Sequence, residues 1–237
     1  MSKLKNKSAI ITGGTGALGR GVVKHFLEEG ANVLTTYVVE RECEECQNLL
    51  SEYGESIVYR RTDVTDENDF LGAVADVISK YGKIDILINI VGGFLYKELK
   101  DTTVEDFNKM INMNLKSCFI CTKSVISEMI NNKSGKIVNI AAKPAIKGTA
   151  GMSVYGASKS GVVRITESLA EEVKDYNINV NAIIPGTIDT PRNREDMPDR
   201  DFSKWVKPEE LAEIILNLCL DESKLINGAV IPALGKT

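Results

Sequence analysis

The sequence predicts an α/β fold, a doubly wound sheet of seven mainly parallel strands with helices on both faces. Two observations lead there. Seven short β-branched or apolar runs alternate with longer amphipathic stretches, and the short runs are near-continuously apolar rather than alternating with polar residues. Strands of that kind are covered on both faces, and a helix between successive strands makes each connection a parallel crossover. The strands are expected at SAIIT (8–12), NVLTTY (32–37), SIVYR (56–60), DILIN (85–89), GKIVNIA (135–141), INVNAII (178–184) and AVIP (229–232). Helix spacing occupies 17–29, 66–81, 103–130, 153–174 and 208–220. Thr103 with Asp106 and Asp66 with Asp69 read as helix starts, while Gly30 and Gly82 stand where helices stop.

The chain of 237 residues reads as a single domain, 1–237, without an internal repeat, low-complexity tract or linker. One long, charged, proline-punctuated interruption, 186–207, is expected to be a substrate lid. With 29 Lys+Arg against 33 Asp+Glu the net charge is −4, which offers no broad attraction for nucleic acid or an anionic membrane. The partner is therefore expected to be a small molecule held by local features. The apolar run at the N-terminus is too short for a signal-peptide core, no later stretch approaches a membrane span, and five Cys suit free thiols, so the protein is expected to be cytoplasmic. The pairs Cys43/Cys46 and Cys118/Cys121 invite a zinc reading. However, 71 residues separate them and both fall in helix-like runs, so no metal is expected.

The first strand runs directly into Thr12-Gly13-Gly14-Thr15-Gly16-Ala17-Leu18-Gly19 and then a helix. A strand, tight turn and helix N-terminus together present backbone N–H groups and partial positive charge to a pyrophosphate, and only small residues let the backbone come close enough. This context marks a Rossmann-type dinucleotide site. Asp63-Val64, past the third strand, is placed to cap an adenine, and Asn89-Ile90-Val91-Gly92-Gly93 ends the fourth strand at the same carboxyl edge. Tyr155 and Lys159 begin a helix, and their i, i+4 spacing sets both on one face about 5 to 6 Å apart at Cβ. A phenol near pKa 10 is a poor acid–base group at neutral pH, and a neighbouring ammonium is expected to pull it down.

In order and spacing, Thr12 to Gly19, Asn89 to Gly92, Asn114, Tyr155 with Lys159, and Pro185-Gly186-Thr187 resemble the motifs of the short-chain dehydrogenase/reductase family along the whole chain. The resemblance implies an NAD(P)H cofactor in contact with Gly13, Thr15, Gly16, Ala17, Leu18, Gly19, Tyr37, Asp63, Val64, Asn89, Val91, Gly92, Pro185, Gly186, Thr187, Ile188 and Thr190. It implies Tyr155 as proton donor, Lys159 also bonding the nicotinamide ribose, and Asn114 helping to hold a proton-relay water. It also implies a homodimer or homotetramer through the helices at 103–130 and 153–174.

Three positions depart from the family. Ala17 replaces its middle glycine. Tyr37 ends the second strand where an NAD-specific member carries an acid, and the absence of an arginine at Val38 leaves NAD and NADP both open. Ala142 stands thirteen residues before the tyrosine, where the family has its catalytic serine. Either Lys143, Thr149 or Ser153 replaces that hydroxyl, or the substrate does without it, or catalysis is lost; intact Tyr155, Lys159 and Asn114 argue against loss. Segments 92–94, 141–161 and 187–205 are similar to the dihydropteridine reductase-like subgroup, whose quinonoid substrate spreads developing charge over several atoms. The expected activity is hydride transfer to a carbonyl, imine or quinonoid acceptor. The alternatives are a 3-oxoacyl thioester or simple ketone reductase and a non-catalytic NAD(P)-binding regulator. Of the remaining residues, His25 is expected on the surface, 40–45 at a solvated helix start with Arg41 a candidate for a 2'-phosphate, and Phe202 and Trp205 in lid packing.

Overall fold

The structure, a computed structural model, describes residues 2–236. Strands β1 (Ser8–Thr12), β2 (Asn32–Tyr37), β3 (Ile57–Arg61), β4 (Ile86–Asn89), β5 (Gly135–Ile140), β6 (Ile178–Pro185) and β7 (Val230–Ala233) form one sheet ordered β3-β2-β1-β4-β5-β6-β7. Every pairing is parallel. The order reverses between β1 and β4, which places the switch-point crevice at the carboxyl ends of those two strands.

Alternate residues of each strand feed opposite layers. Ala9, Ile11 and Val33 join the core under α1 (Ala17–Glu28) and α8 (Pro208–Cys219), with Cys46 of α2 (Glu40–Leu49). Ile10 and Leu34 join the core under α3 (Glu67–Tyr81) and α5 (Ser117–Asn132). Cys46 of α2 thus packs into the core on one side of the sheet and Cys121 of α5 into the core on the other. Among the described residues no helix is long and apolar enough to cross a membrane.

The helix ends follow local chemistry. Asp66 accepts from the amides of Asn68 and Asp69, Thr103 and Asp106 close a reciprocal capping box, and α3 ends at Gly82 in the left-handed region, φ 83°. The expected helix over 103–130 is divided. α4 (Val104–Met110) passes into a π-helical turn, Ile111–Lys116, before α5 begins. Such turns widen a helix by one residue and redirect the side chains they carry. The next long helix, α6 (Ser153–Val173), is continuous.

The 186–207 segment is more ordered than its composition suggests. It contains α7 (Pro191–Asp196), a one-turn 3-10 helix at Phe202–Lys204, and a bridge between Ile188 and Val206. Arg194 binds Asp189 through two hydrogen bonds of 2.6 and 2.7 Å and lies 4.9 Å from the Phe202 ring, which packs at 4.7 Å on the buried Trp205. Phe202 and Trp205 thus pack against each other within this segment. His25 is partly exposed on α1, its Nδ1 buried, without a hydrogen-bond partner and 4.0 Å from the Glu28 carboxylate.

Candidate active site

The turn after β1 is shaped by what it leaves no room for. Gly13 adopts φ +65°, and its amide donates to Thr36 Oγ1 at 3.1 Å. A methyl on Gly14 would stand 2.0 Å from Thr35 Oγ1, and one on Gly19 2.2 Å from the Gly13 carbonyl oxygen. Gly16 is different, since a methyl there would stand 3.4 Å from the Gly13 carbonyl oxygen, an ordinary contact without a clash. Gly16 is also the N-cap of α1 and supplies no side-chain cap, leaving the first-turn amides of Ala17, Leu18 and Gly19 facing outward for an anion. Thr15 is buried beside them. Thr12 Oγ1 ties this turn to the next strand by accepting from the amides of Ile90 at 3.0 Å and Val91 at 3.3 Å. A cradle of free amides at a helix N-terminus, with steric room at Gly16, fits a dinucleotide diphosphate.

Other expected cofactor residues offer backbone rather than side chain. Asn89 is turned into the layers, donating to Asn139 Oδ1 at 2.8 Å and Thr122 Oγ1 at 3.1 Å. Val64 is part of the α3 core. The Asp63 carboxylate closes its own turn by accepting from the Thr65 amide and hydroxyl, and those bonds hold it below the usual carboxylate range. At the expected adenine position, Asp63 thus keeps its second carboxylate oxygen outside the Thr65 turn, while Val64 leaves only its backbone toward the crevice. Tyr37 engages Cys43 and Glu40, and desolvation raises its phenol. Past β6, the Gly186 amide donates to Ala233, the Val206 amide donates to Thr187, and Thr190 Oγ1 caps α7 by accepting from Asn193 at 3.2 Å. These bonds hold Pro185 to Thr190 as a fixed wall in which Ile188 pairs with Val206.

Tyr155, Lys159, Asn114 and Gly92 are brought together, although nothing in their separation along the chain requires it. A methyl on Gly92 would stand 2.6 Å from Asn114 Oδ1 and 3.0 Å from Lys159 Nζ. Lys159 is almost wholly buried and donates to the Ile140 carbonyl, the last residue of β5, at 2.8 Å. Burial pulls its ammonium down to about 8, with only Cys118 opposing. Tyr155 on the same helix face is pushed up to about 12 by burial. The expected lowering of the phenol by Lys159 is therefore not found in the free protein. The ammonium is itself desolvated and turned to Ile140, so burial governs both groups. The result is a phenol that keeps its proton at neutral pH and is available to donate it.

Asn114 sits in the π turn, where its carboxamide accepts from the Gly93 amide at 2.9 Å and donates to the Gly93 carbonyl at 3.1 Å and Ser158 Oγ at 3.0 Å. Both of its N–H groups are thus engaged by protein. Ser158 in turn donates to the Tyr155 carbonyl at 2.7 Å, so one hydroxyl links Asn114 to the tyrosine turn. The sequence assigns no role to Ser158, Ile140, Thr36 or Phe94, although Ser158 stands beside Lys159 in its motif and Phe94 ends the 92–94 segment. Phe94 meets the Tyr155 ring edge to face, centroids 5.1 Å apart at 77°. Ala142 is buried in extended backbone at the start of the turn after β5. Lys143, Thr149 and Ser153, the expected substitutes for its missing hydroxyl, are all exposed.

Residues 7–201 match the sequence profile of the short chain dehydrogenase family. The chain is 34% identical over 242 residues to the 3-oxoacyl-acyl-carrier-protein reductase FabG of Thermotoga maritima, covering 97% of this chain and 96% of that protein. It is 30% identical to an acetoacetyl-CoA reductase of Acinetobacter, covering 94% of each. Among solved structures, ElxO with NADP bound superposes with a TM-score of 0.90 at 29% identity, covering 97% of both chains. The chain belongs to the short-chain dehydrogenase/reductase family and is an NAD(P)-dependent oxidoreductase.

Proposed function

We propose that the protein reduces the ketone of a 3-oxoacyl thioester with NAD(P)H, Tyr155 giving its proton to the carbonyl oxygen. The observation that carries this reading is the near full-length similarity to two relatives whose names specify 3-oxoacyl and acetoacetyl thioesters. When bound, the reduced nicotinamide supplies the hydride. The chain supplies the rest. The free amides at the start of α1 bind the diphosphate, and Lys159, held on the Ile140 carbonyl one helical turn from Tyr155, faces the nicotinamide ribose. Ser158 and Asn114 brace the Tyr155 turn against Gly93. Tyr155, protonated at neutral pH, is the general acid. A 3-oxoacyl ketone is activated by the neighbouring acyl group, which makes one hydrogen-bond donor fewer at position 142 tolerable. We further propose that the protein assembles as a homo-oligomer through α5 and α6, where Phe119, Ile126, Ile165 and Leu169 line an open groove.

Ala142 favours a second reading, a quinonoid or imine acceptor of the dihydropteridine reductase-like kind, which needs no focused donor for a delocalised charge. Purified protein separates the two when NADH and NADPH oxidation are followed with acetoacetyl-CoA, a quinonoid dihydropterin and a simple ketone. The first reading expects the thioester to be turned over most efficiently, and it falls if the thioester is inert while the pterin is reduced. Ala142→Ser sharpens the result. An added donor raises thioester reduction by about 10-fold, a modest share of what such donors contribute elsewhere, and leaves pterin reduction unchanged.

A further inference from the structure

Two segments, 92–99 and 143–152, meet beside Tyr155. The Lys97 amide donates to the Gly151 carbonyl at 2.7 Å, and Gly151, at φ +73°, lies so near the Tyr96 ring that a methyl there would stand 2.8 Å from its carbons. The first segment is anchored again by a 2.7 Å ion pair between Lys97 and Asp106. The second is anchored by Ser160 Oγ, which donates to the Ala145 carbonyl at 2.9 Å.

Phe94 lies near these anchors and takes part in none of them. Its ring is 60% exposed, and its ring contact is the edge-to-face pair with Tyr155. Near-perpendicular rings leave at least one face of Phe94 uncovered. Tyr96 and Ile146, 66% and 65% exposed, present further apolar surface, one on each segment. An exposed apolar ring that touches a proton donor is placed to bind the body of whatever that donor protonates. The need is also local. With alanine at 142, Tyr155 is left as the donor to the reacting oxygen, and a single hydrogen bond does not fix the rotation of the acceptor about it.

We infer that Phe94 is a substrate-contacting specificity residue whose ring, with Tyr96 and Ile146, receives the flat or apolar body of the acceptor beside the carbonyl that Tyr155 protonates. This rests on the reductase reading above. It selects acceptors by what flanks the carbonyl, favouring an aryl or longer alkyl group over a methyl.

The test uses the protein saturated with whichever oxidised cofactor it binds more tightly, and titrates in the benzoylacetyl and acetoacetyl thioesters of N-acetylcysteamine by calorimetry. The two probes share a polar head and differ by phenyl against methyl. The native protein is expected to bind the phenyl probe about 10-fold more tightly, Phe94→Trp to keep that preference, and Phe94→Ala to reduce it to within about 2-fold, with cofactor affinity unchanged in both. An absent preference in the native protein, its persistence in Phe94→Ala, or an equal loss for both probes overturns the inference. Turnover is followed separately. A phenyl preference that depends on Phe94 without turnover of either thioester sinks the reductase reading and leaves Phe94 in place, whereas turnover without the preference sinks only the inference about Phe94.

Discussion

The β1–α1 turn and the mouth beside Tyr155 are built on opposite principles. The turn is backbone packed to contact, with no room for a methyl at Gly14 or Gly19, and its ligand groups are amides at a helix end. The mouth is made of side chains, several of them exposed, on two segments bridged by the Lys97 to Gly151 hydrogen bond. The first presents its donors in a geometry the chain itself dictates, and suits a ligand shared by many enzymes. The second can change its lining without disturbing the sheet, and suits a ligand that differs between relatives.

The sharpest way to separate the two regions is Tyr155→Phe. It removes the proton but keeps the ring against Phe94, so turnover should fall by about 1000-fold while cofactor affinity, measured by titration of intrinsic fluorescence, stays within about 2-fold. Undiminished turnover would contradict the role given to Tyr155. Gly19→Ala probes the other region and should do the reverse. The added methyl meets backbone at Gly13 and Gly14, so cofactor affinity should drop by about 100-fold and thermal stability should fall with it. Unchanged affinity would mean that the turn is not the diphosphate site.

A smaller effect links both regions to pH. Burial holds the Lys159 ammonium near 8, below its ordinary value, so folding disfavours the charged form. The cost is full below pH 8, where folded and unfolded chains are both protonated, and it disappears as pH rises toward the unfolded value. Stability from this group therefore increases with pH across that window. Lys159→Met should stabilise the protein by about 2 kcal/mol at pH 7 in denaturant unfolding, after allowing for the lost bond to Ile140, while abolishing turnover. The gain should vanish by about pH 10.5. A variant that is less stable at neutral pH would show that the ammonium is better solvated than its burial implies.

Much of the architecture is legible in the sequence because it rests on local chemistry. The seven strands fall within a residue or two of their apolar runs, the caps at Asp66 and Thr103 form the bonds their spacing implies, and Tyr155 and Lys159 share a helix face. The site is legible only in its membership. That the Asn89 and Val64 side chains turn into the sheet layers, leaving backbone at the carboxyl edge, is not readable from their positions in the chain. The π turn that carries Asn114 leaves no mark in periodicity, since it differs from its flanks by one residue per turn.

The sequence by itself determined the parallel sheet, the glycine turn and the shared helix face of Tyr155 and Lys159, because apolar runs, steric freedom and helical spacing act over a few residues. Only the tertiary structure decided that burial raises the phenol to about 12, that Lys159 faces Ile140, that the charged 186–207 segment is ordered through Arg194, and that Phe94 stands against Tyr155. Each of these depends on desolvation or contact between segments far apart along the chain, and such energies do not exist until those segments meet.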